Sequence, residues 1–196
     1  VVCYINSTAE LKCQSDVCVT SSNAVKIVKA LPNKNIFFIP DKNLGRYVAE
    51  QVPEKNVILN HGYCPIHVKV SLEEVLQEKK QHPTALVLSH PECEENILNI
   101  SDYIGSTAEI IDFAKKSEND EFIICTEDGV KFELIKTNPN KKFYFTKTRP
   151  CCVDMKLNTL DKLLKVLETE ENPIEVDEET RERALLPLNR MLELAK

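Results

Sequence analysis

The stretch IFFIPD at residues 36–41 is the strongest indication of the fold, because a similar stretch, FIICTE, occurs 86 positions later at residues 122–127. Each run has the β-branched and aromatic residues of a buried parallel strand. Each also ends in a carboxylate, Asp41 in the first and Glu127 in the second. Self-similarity at a fixed spacing indicates a repeated structural unit.

Other features keep this spacing on both sides of the two runs. The shift places Tyr4-Ile5-Asn6 on His90-Pro91-Glu92, Ser21 on Thr107, and Cys64 on Pro150, within two positions of Cys151 and Cys152. Because the matches keep their order, we interpret the chain as two homologous α/β units at 1–83 and 84–168. Two unrelated α/β units with accidental matches are the alternative.

Strand-like and helix-like segments alternate along both units, which predicts an α/β fold with parallel sheets. The predicted strands are 1–5, 17–19, 35–39, 56–59, 84–89, 121–125 and 142–145. The predicted helices are 22–31, 43–51, 71–81, 105–116 and 159–168. An acidic linker at 169–176 leads to a last helix at 177–195, which Asp177 is suited to cap.

Composition narrows the class of protein. The 196 residues carry a net charge of −6, which argues against a nucleic-acid-binding protein. The apolar runs fall well short of the roughly 20 residues that span a bilayer. The chain opens on a strand-like segment without methionine or secretory signal, so we expect a truncated start and a cytoplasmic protein.

Eight cysteines leave three explanations open: disulfides, inert buried thiols, or metal ligands. No C-x-x-C pair occurs, so a metal site would combine distant segments. The repeat favours Cys64 and one of Cys151 and Cys152, with a third thiolate from a further unit. A zinc half-site at 64–67 is a competing interpretation, but it lacks two suitably spaced ligands.

The repeated positions suggest a ligand site, because ligands of parallel α/β folds bind beyond the carboxyl ends of strands. Tyr4, Asn6, His90 and Glu92 each lie at or just past the end of a predicted strand. Glu92 beside His90 would suit proton transfer, although a surface loop with both residues is common. Tyr4 could equally serve packing.

Hydroxyl side chains stand at two predicted helix starts, Ser21-Ser22 and Ser106-Thr107. A helix N-terminus attracts phosphate or carboxylate groups. Ordinary N-capping is the alternative explanation, since Ser and Thr are preferred caps.

The chain resembles the quinolinate synthase family over almost its whole length up to the acidic linker. The matching stretches are VVCYIN at 1–6, SDVCVTSSNAVKIV at 15–28, FIPDKNLGRYVAEQ at 38–51, GYCPIH at 62–67, HPEC at 90–93, GSTAEI at 105–110, TEDG at 126–129 and CVDMKLNTL at 152–160. The family's usual C-P-N-M-K is here CVDMK, which still selects Cys152 over Cys151.

The resemblance implies three three-layer α/β units around a pseudo-threefold axis, of which this chain holds the second and third, followed by an acidic linker and C-terminal helix at 169–196. It implies a [4Fe-4S] cluster held by Cys64, Cys152 and a cysteine outside this sequence, with one open iron. The implied reaction condenses iminoaspartate with dihydroxyacetone phosphate to quinolinate, phosphate and water, in the biosynthesis of NAD. An aspartate oxidase or dehydrogenase would supply the iminoaspartate.

The resemblance also implies residue roles. Glu92 would act as general acid and base beside His90, while Tyr4 would assist proton transfer and cover the substrate. Substrate oxygens, phosphate and carboxylates would be bound by Asn6, Ser21, Ser106 and Thr107. Because a cluster ligand and part of the site are missing, we expect this chain alone to be inactive.

Two other classes of protein remain open. A non-catalytic α/β module that binds a phosphorylated ligand would need no iron and would tolerate loss of Cys64 and Cys152. A different [4Fe-4S] hydro-lyase would carry the cluster but make no quinolinate.

Overall fold

A computed structural model describes residues 1–196 and shows an α/β protein with two four-stranded sheets. All strand pairs are parallel, and the strand orders are β2-β1-β3-β4 and β6-β5-β7-β8. The strands are β1 Val2–Tyr4, β2 Val17–Val19, β3 Asn35–Ile39, β4 Asn56–Leu59, β5 Leu86–Ser89, β6 Tyr103–Ile104, β7 Glu121–Cys125 and β8 Lys142–Phe145. The predicted α/β class with parallel sheets is confirmed.

Nine α-helices and two short 3₁₀ turns connect and cover the sheets. The helices are α1 Ala9–Cys13, α2 Ala24–Ala30, α3 Lys42–Gln51, α4 Leu72–Gln81, α5 Glu95–Leu98, α6 Thr107–Lys116, α7 Val130–Thr137, α8 Leu160–Thr169 and α9 Glu178–Leu194. The 3₁₀ turns are His67–Lys69 and Met155–Leu157.

The two sheets repeat each other element by element. The strand β7 begins 86 residues after β3, and β8 begins 86 residues after β4. Beyond β8 the spacing becomes 88 residues, both for the 3₁₀ turns and from α4 to α8. Two extra residues therefore precede the second cysteine loop, so Cys152 rather than Cys151 occupies the position of Cys64.

Alternate residues of the second sheet face two different cores, because strand side chains point to opposite faces. On one face Val87 and Ile123 pack with Val75 of α4 and Ile97 of α5. On the other face the core holds Leu88, Phe122 and Ile124 from the sheet, Ile110 and Ala114 from α6, and Val130 and Leu134 from α7. This sheet is thus the middle of three layers.

The last helix, α9, returns to the first sheet. Met191 lies in the same core as Val2 and Phe38. The Cys13 thiol donates to the Thr180 carbonyl at 3.3 Å. Asp177 caps α9 as predicted, accepting a hydrogen bond from the Thr180 amide at 2.9 Å.

Several predicted bounds were wrong. The helix predicted at 22–31 begins at Ala24, and the strands predicted at 1–5 and 84–89 are shorter. The prediction also missed α1, α5, α7 and β6, which are short elements that depend on packing rather than on a local pattern. The pseudo-threefold axis and the unit boundaries at 83 and 168 stay predictions.

Candidate active site

Buried polar side chains gather where the strands of both sheets end. Tyr4 closes β1, while Asp41 follows β3. From the second sheet, His90 and Glu92 follow β5, and Thr126 follows β7. All but the half-buried Tyr4 are buried, with Glu92 only 5% exposed. The carboxyl ends of two parallel sheets therefore meet around one polar cluster.

His67 is the centre of this cluster, and it was not among the predicted site residues. Its Nδ1 lies 3.2 Å from Cys64 Sγ and 3.3 Å from Glu92 Oε2. Its Nε2 lies 3.1 Å from Thr126 Oγ1. The ring stacks on His90 with centroids 4.5 Å apart. His67 thus joins the cysteine loop of the first sheet to the second sheet.

Glu92 lies between the two imidazoles. One carboxyl oxygen is 3.2 Å from His90 Nδ1 as well as 3.3 Å from His67 Nδ1. The Asn43 side-chain amide donates to the Glu92 carbonyl at 3.1 Å. This hydrogen bond fixes the Glu92 backbone against the start of α3.

Burial sets the protonation of the cluster. It raises the pKa of Glu92 to about 8, and the nearby charge of Asp41 adds to the effect. Burial lowers the pKa of His67 to about 4 and that of His90 to about 3. At neutral pH a largely protonated carboxyl therefore faces two neutral imidazoles. The Glu92 O–H can donate a proton, and the ring nitrogens can accept one.

Tyr4 interacts electrostatically with Glu92 of the same polar cluster. Burial raises the pKa of its phenol, the charge of Glu92 raises it further, and the nearby Ser21 hydroxyl lowers it. The phenol therefore keeps its proton and can donate a hydrogen bond to a bound group. Ser21 is half-buried and Asn6 is exposed.

Of the two predicted helix starts, Ser106-Thr107 does stand at the start of α6, whereas Ser21-Ser22 lies before α2. Ser21 and Ser22 precede α2 rather than begin it, because Asn23 is the N-cap residue. Ser106 does cap α6, and it forms a capping box with Glu109. Ordinary capping therefore accounts for the contacts of Ser106. Thr107 is exposed, and neither Ser106 nor Thr107 forms a hydrogen bond with the His–Glu cluster.

Two groups of side chains have the donor atoms of a metal site. The ligand atoms of Cys64, His67 and Glu92 lie within 4.8 Å of one another. Those of Glu127, Asp128 and Cys151 form a second group, where Lys156 Nζ already pairs with Glu127 at 2.9 Å. All eight cysteines are unpaired. The arrangement is compatible with a metal cofactor bound through thiolates.

None of the helices is both long enough and apolar enough to cross a membrane.

The eight cysteines differ in how far they are buried in the fold. Cys3, Cys18, Cys93 and Cys125 are buried, whereas Cys64 and Cys152 are partly accessible in loops beside the polar cluster. Cys151, next to Cys152, is exposed, so three cysteines in loops are accessible to a ligand, whereas the four buried thiols are not.

Comparison with known proteins agrees with these features. A family model described as quinolinate synthetase A protein matches residues 1–193. Proteins named quinolinate synthase are 54% identical in Fusobacterium nucleatum, 52% in Caldicellulosiruptor bescii and 49% in Clostridioides difficile. These matches cover 99–100% of this chain, and the chain spans 64–65% of the relatives' length. The chain belongs to the quinolinate synthetase A family.

Proposed function

We propose that the protein containing this chain is a quinolinate synthase of NAD biosynthesis, acting in the cytoplasm. It would condense iminoaspartate with dihydroxyacetone phosphate, and release phosphate and two waters as quinolinate forms. The observation that carries the proposal is the buried cluster of Glu92, His67 and His90 beside Cys64 and Tyr4. The relatives' shared name supports the same activity.

The chain's own residues suit the dehydration steps. Glu92, protonated at neutral pH, would give its proton to a departing hydroxyl. His90, a neutral ring in contact with the same carboxyl, would hold that carboxyl in place. Tyr4 would donate a hydrogen bond to a substrate oxygen while the sheet ends exclude water. Asn6, Ser21, Ser106 and Thr107 would bind the remaining oxygens and the phosphate.

The residues present also fit a [4Fe-4S] cluster. A short series of contacts links the loop of Cys64 to the loop of Cys152. His67 contacts both Cys64 and Thr126. Glu127, the residue after Thr126, accepts a hydrogen bond from the Cys152 amide. Cys64 and Cys152 would be two ligands, and the third would come from the part of the relatives that this chain does not span. When bound, the cluster would supply an open iron as a Lewis acid for substrate oxygens.

The test uses the full-length protein purified without oxygen. Iron, sulfide and quinolinate formation are measured in wild type, Cys64→Ala and Cys152→Ala, with the adjacent Cys151→Ala as matched control. We expect about four irons in wild type and in the control, as a [4Fe-4S] cluster requires. Both ligand variants should lose cluster and product together.

Other outcomes would overturn the proposal in different ways. A full cluster without quinolinate would indicate another hydro-lyase. Absence of iron under anaerobic conditions, with inorganic phosphate still bound, would indicate a binding module. Loss of the cluster in Cys151→Ala but not in Cys152→Ala would reassign the second ligand.

A further inference from the structure

In each of the two cysteine loops a carboxylate accepts the cysteine amide, and its other oxygen accepts an amide at the start of the following helix. In the first unit the Cys64 amide donates to Asp41 Oδ2 at 2.8 Å. The other oxygen of this side chain, Oδ1, accepts from the Leu44 amide at 2.8 Å and caps α3. Asp41 thereby joins the start of a helix to the cysteine loop.

The second unit repeats this arrangement with a longer side chain. The Cys152 amide donates to Glu127 Oε1 at 3.1 Å, and the Gly129 amide donates to Oε2 at 2.7 Å. The flanking backbone matches too, since the Lys42 amide donates to the Gly62 carbonyl and the Asp128 amide to the Pro150 carbonyl. The exposed neighbour Cys151 has no such anchor, because its amide donates to the Arg149 carbonyl.

Helix capping alone does not explain both contacts. A cap needs one acceptor, and Ser71 and Thr159 cap α4 and α8 with a single hydroxyl oxygen. Asp41 and Glu127 use a second oxygen, and in both units it accepts the amide of a cysteine. Hydrogen bonds to a charged acceptor are stronger than neutral ones, so each anchor restricts its loop.

We propose that Asp41 and Glu127 are paired positioning residues that hold the thiols of Cys64 and Cys152 toward one shared cofactor. The inference rests on the proposed function for the identity of that cofactor, but the anchoring itself stands on the two hydrogen-bond sets. Groups that orient metal ligands in this way typically change metal affinity about 10- to 100-fold when they are removed.

The variants are chosen to separate anchoring from capping. Asp41→Ser keeps a capping hydroxyl for α3 but removes the acceptor of the Cys64 amide. Glu127→Gln replaces one of two acceptor oxygens with a donor. Asp177→Ser is the matched control, because Asp177 caps α9 and contacts no cysteine loop. Melting curves of each full-length variant establish that it is folded.

The first readout is retention of the cluster in the full-length protein. After anaerobic purification, iron is removed with an excess of chelator and its loss is followed by the visible absorbance of the cluster. We expect Asp41→Ser and Glu127→Gln to lose iron about 10-fold faster than wild type or more. Asp177→Ser should match wild type. Equal rates in all four proteins would overturn the proposal.

The second readout needs no cluster. In the iron-free protein, alkylation of each cysteine by iodoacetamide is followed by mass spectrometry of its peptide. Asp41→Ser should change the alkylation rate of Cys64 several-fold and leave that of Cys152 unchanged. Glu127→Gln should change the alkylation rate of Cys152 and leave that of Cys64 unchanged. Unchanged rates at both cysteines would overturn the proposal. If wild type holds no iron but this crossed pattern appears, the anchoring stands and the proposed cluster is wrong.

Discussion

Glu92 is the residue whose chemistry depends most on the fold. Its carboxyl lies between two imidazoles that burial keeps neutral, so no cation compensates its charge. Burial, with the charge of Asp41 adding to it, raises the pKa of Glu92 to about 8 from its ordinary value of 4.5. Folding therefore favours the protonated carboxyl, and stability must depend on pH through this group.

The sign of this dependence follows from the raised pKa. The contribution of Glu92 to stability is fully present below pH 4.5 and is lost as the pH rises through about 8. The side chain of the Glu92→Gln variant cannot ionise. As the pH rises across that window, the free energy of unfolding of the variant should therefore increase relative to that of wild type by up to about 1.4 kcal/mol per pH unit. Denaturant unfolding of the iron-free protein measures the difference.

The control variant removes a carboxylate that lies outside the polar cluster of Glu92, His67 and His90. Glu94→Gln replaces an exposed side chain two residues away, and its difference from wild type should stay nearly constant over the same pH range. If the Glu92→Gln and wild-type curves also run parallel, then Glu92 ionises in the folded protein as freely as in the unfolded chain.

The sequence predicted some of these residues and missed others for a physical reason. Tyr4, His90 and Glu92 could be predicted because they lie at or just past strand ends, and the ends of parallel strands meet at one edge of a sheet. His67 is 25 positions from Glu92 and stands in a 3₁₀ turn, where no periodic pattern reveals that its ring points inward. A zinc half-site at 64–67, for which two further ligands were lacking, was therefore the only role that the sequence suggested for His67.

At the level of elements, strands were easier to predict than short helices. Five predicted strands match their observed bounds, including 35–39 and 121–125, because short apolar runs bounded by turn residues indicate strands. The helix α7 was missed, since only Val130 and Leu134 of its eight residues are buried and Phe132 is 73% exposed. The repeat could have found it, because α3 precedes it by about one unit.

The packing of α9 against the first sheet can be tested by substitutions on its two faces. Met191 is 7% exposed within the core of that sheet, whereas its neighbour Leu192 is 59% exposed. Met191→Ala should lower the free energy of unfolding by about 2–4 kcal/mol, as for other large-to-small core substitutions. Leu192→Ala should change it by less than about 0.5 kcal/mol.

Denaturant unfolding followed by circular dichroism measures both variants. Equal, small effects would mean that α9 does not pack stably on the first sheet in solution. A large effect of Leu192→Ala would instead mean that the outer face of α9 is covered by something outside this chain.

At the scale of the whole molecule, the last helix of the first unit packs against the sheet of the second unit. Although α4 follows the strands of the first sheet, Val70 and Val75 pack in the core of the second sheet. The counterpart of α4 is α8, 88 residues later and with an equivalent hydroxyl cap. Its apolar side chains are exposed, however, with Leu160 at 83% and Leu163 at 55%.

The repeat therefore predicts that α8 covers the sheet of a further unit, in the part of the relatives' length that this chain does not span. Leu163→Glu tests this prediction in two proteins. In the chain of 196 residues it should cost less than about 0.5 kcal/mol of stability, because the side chain is exposed. In the full-length protein it should cost about 1.5–3 kcal/mol, because burial of a leucine is lost.

Two controls make the comparison specific. Val75→Glu, at the counterpart position of α4, should be strongly destabilising in both proteins, since Val75 is already fully buried. Leu186→Glu, at a 70% exposed position of α9, should have little effect in either. A small effect of Leu163→Glu in the full-length protein would show that α8 keeps its apolar face in solvent there. The relation between α4 and the second sheet would then be a feature of one unit, not a rule that builds the whole molecule.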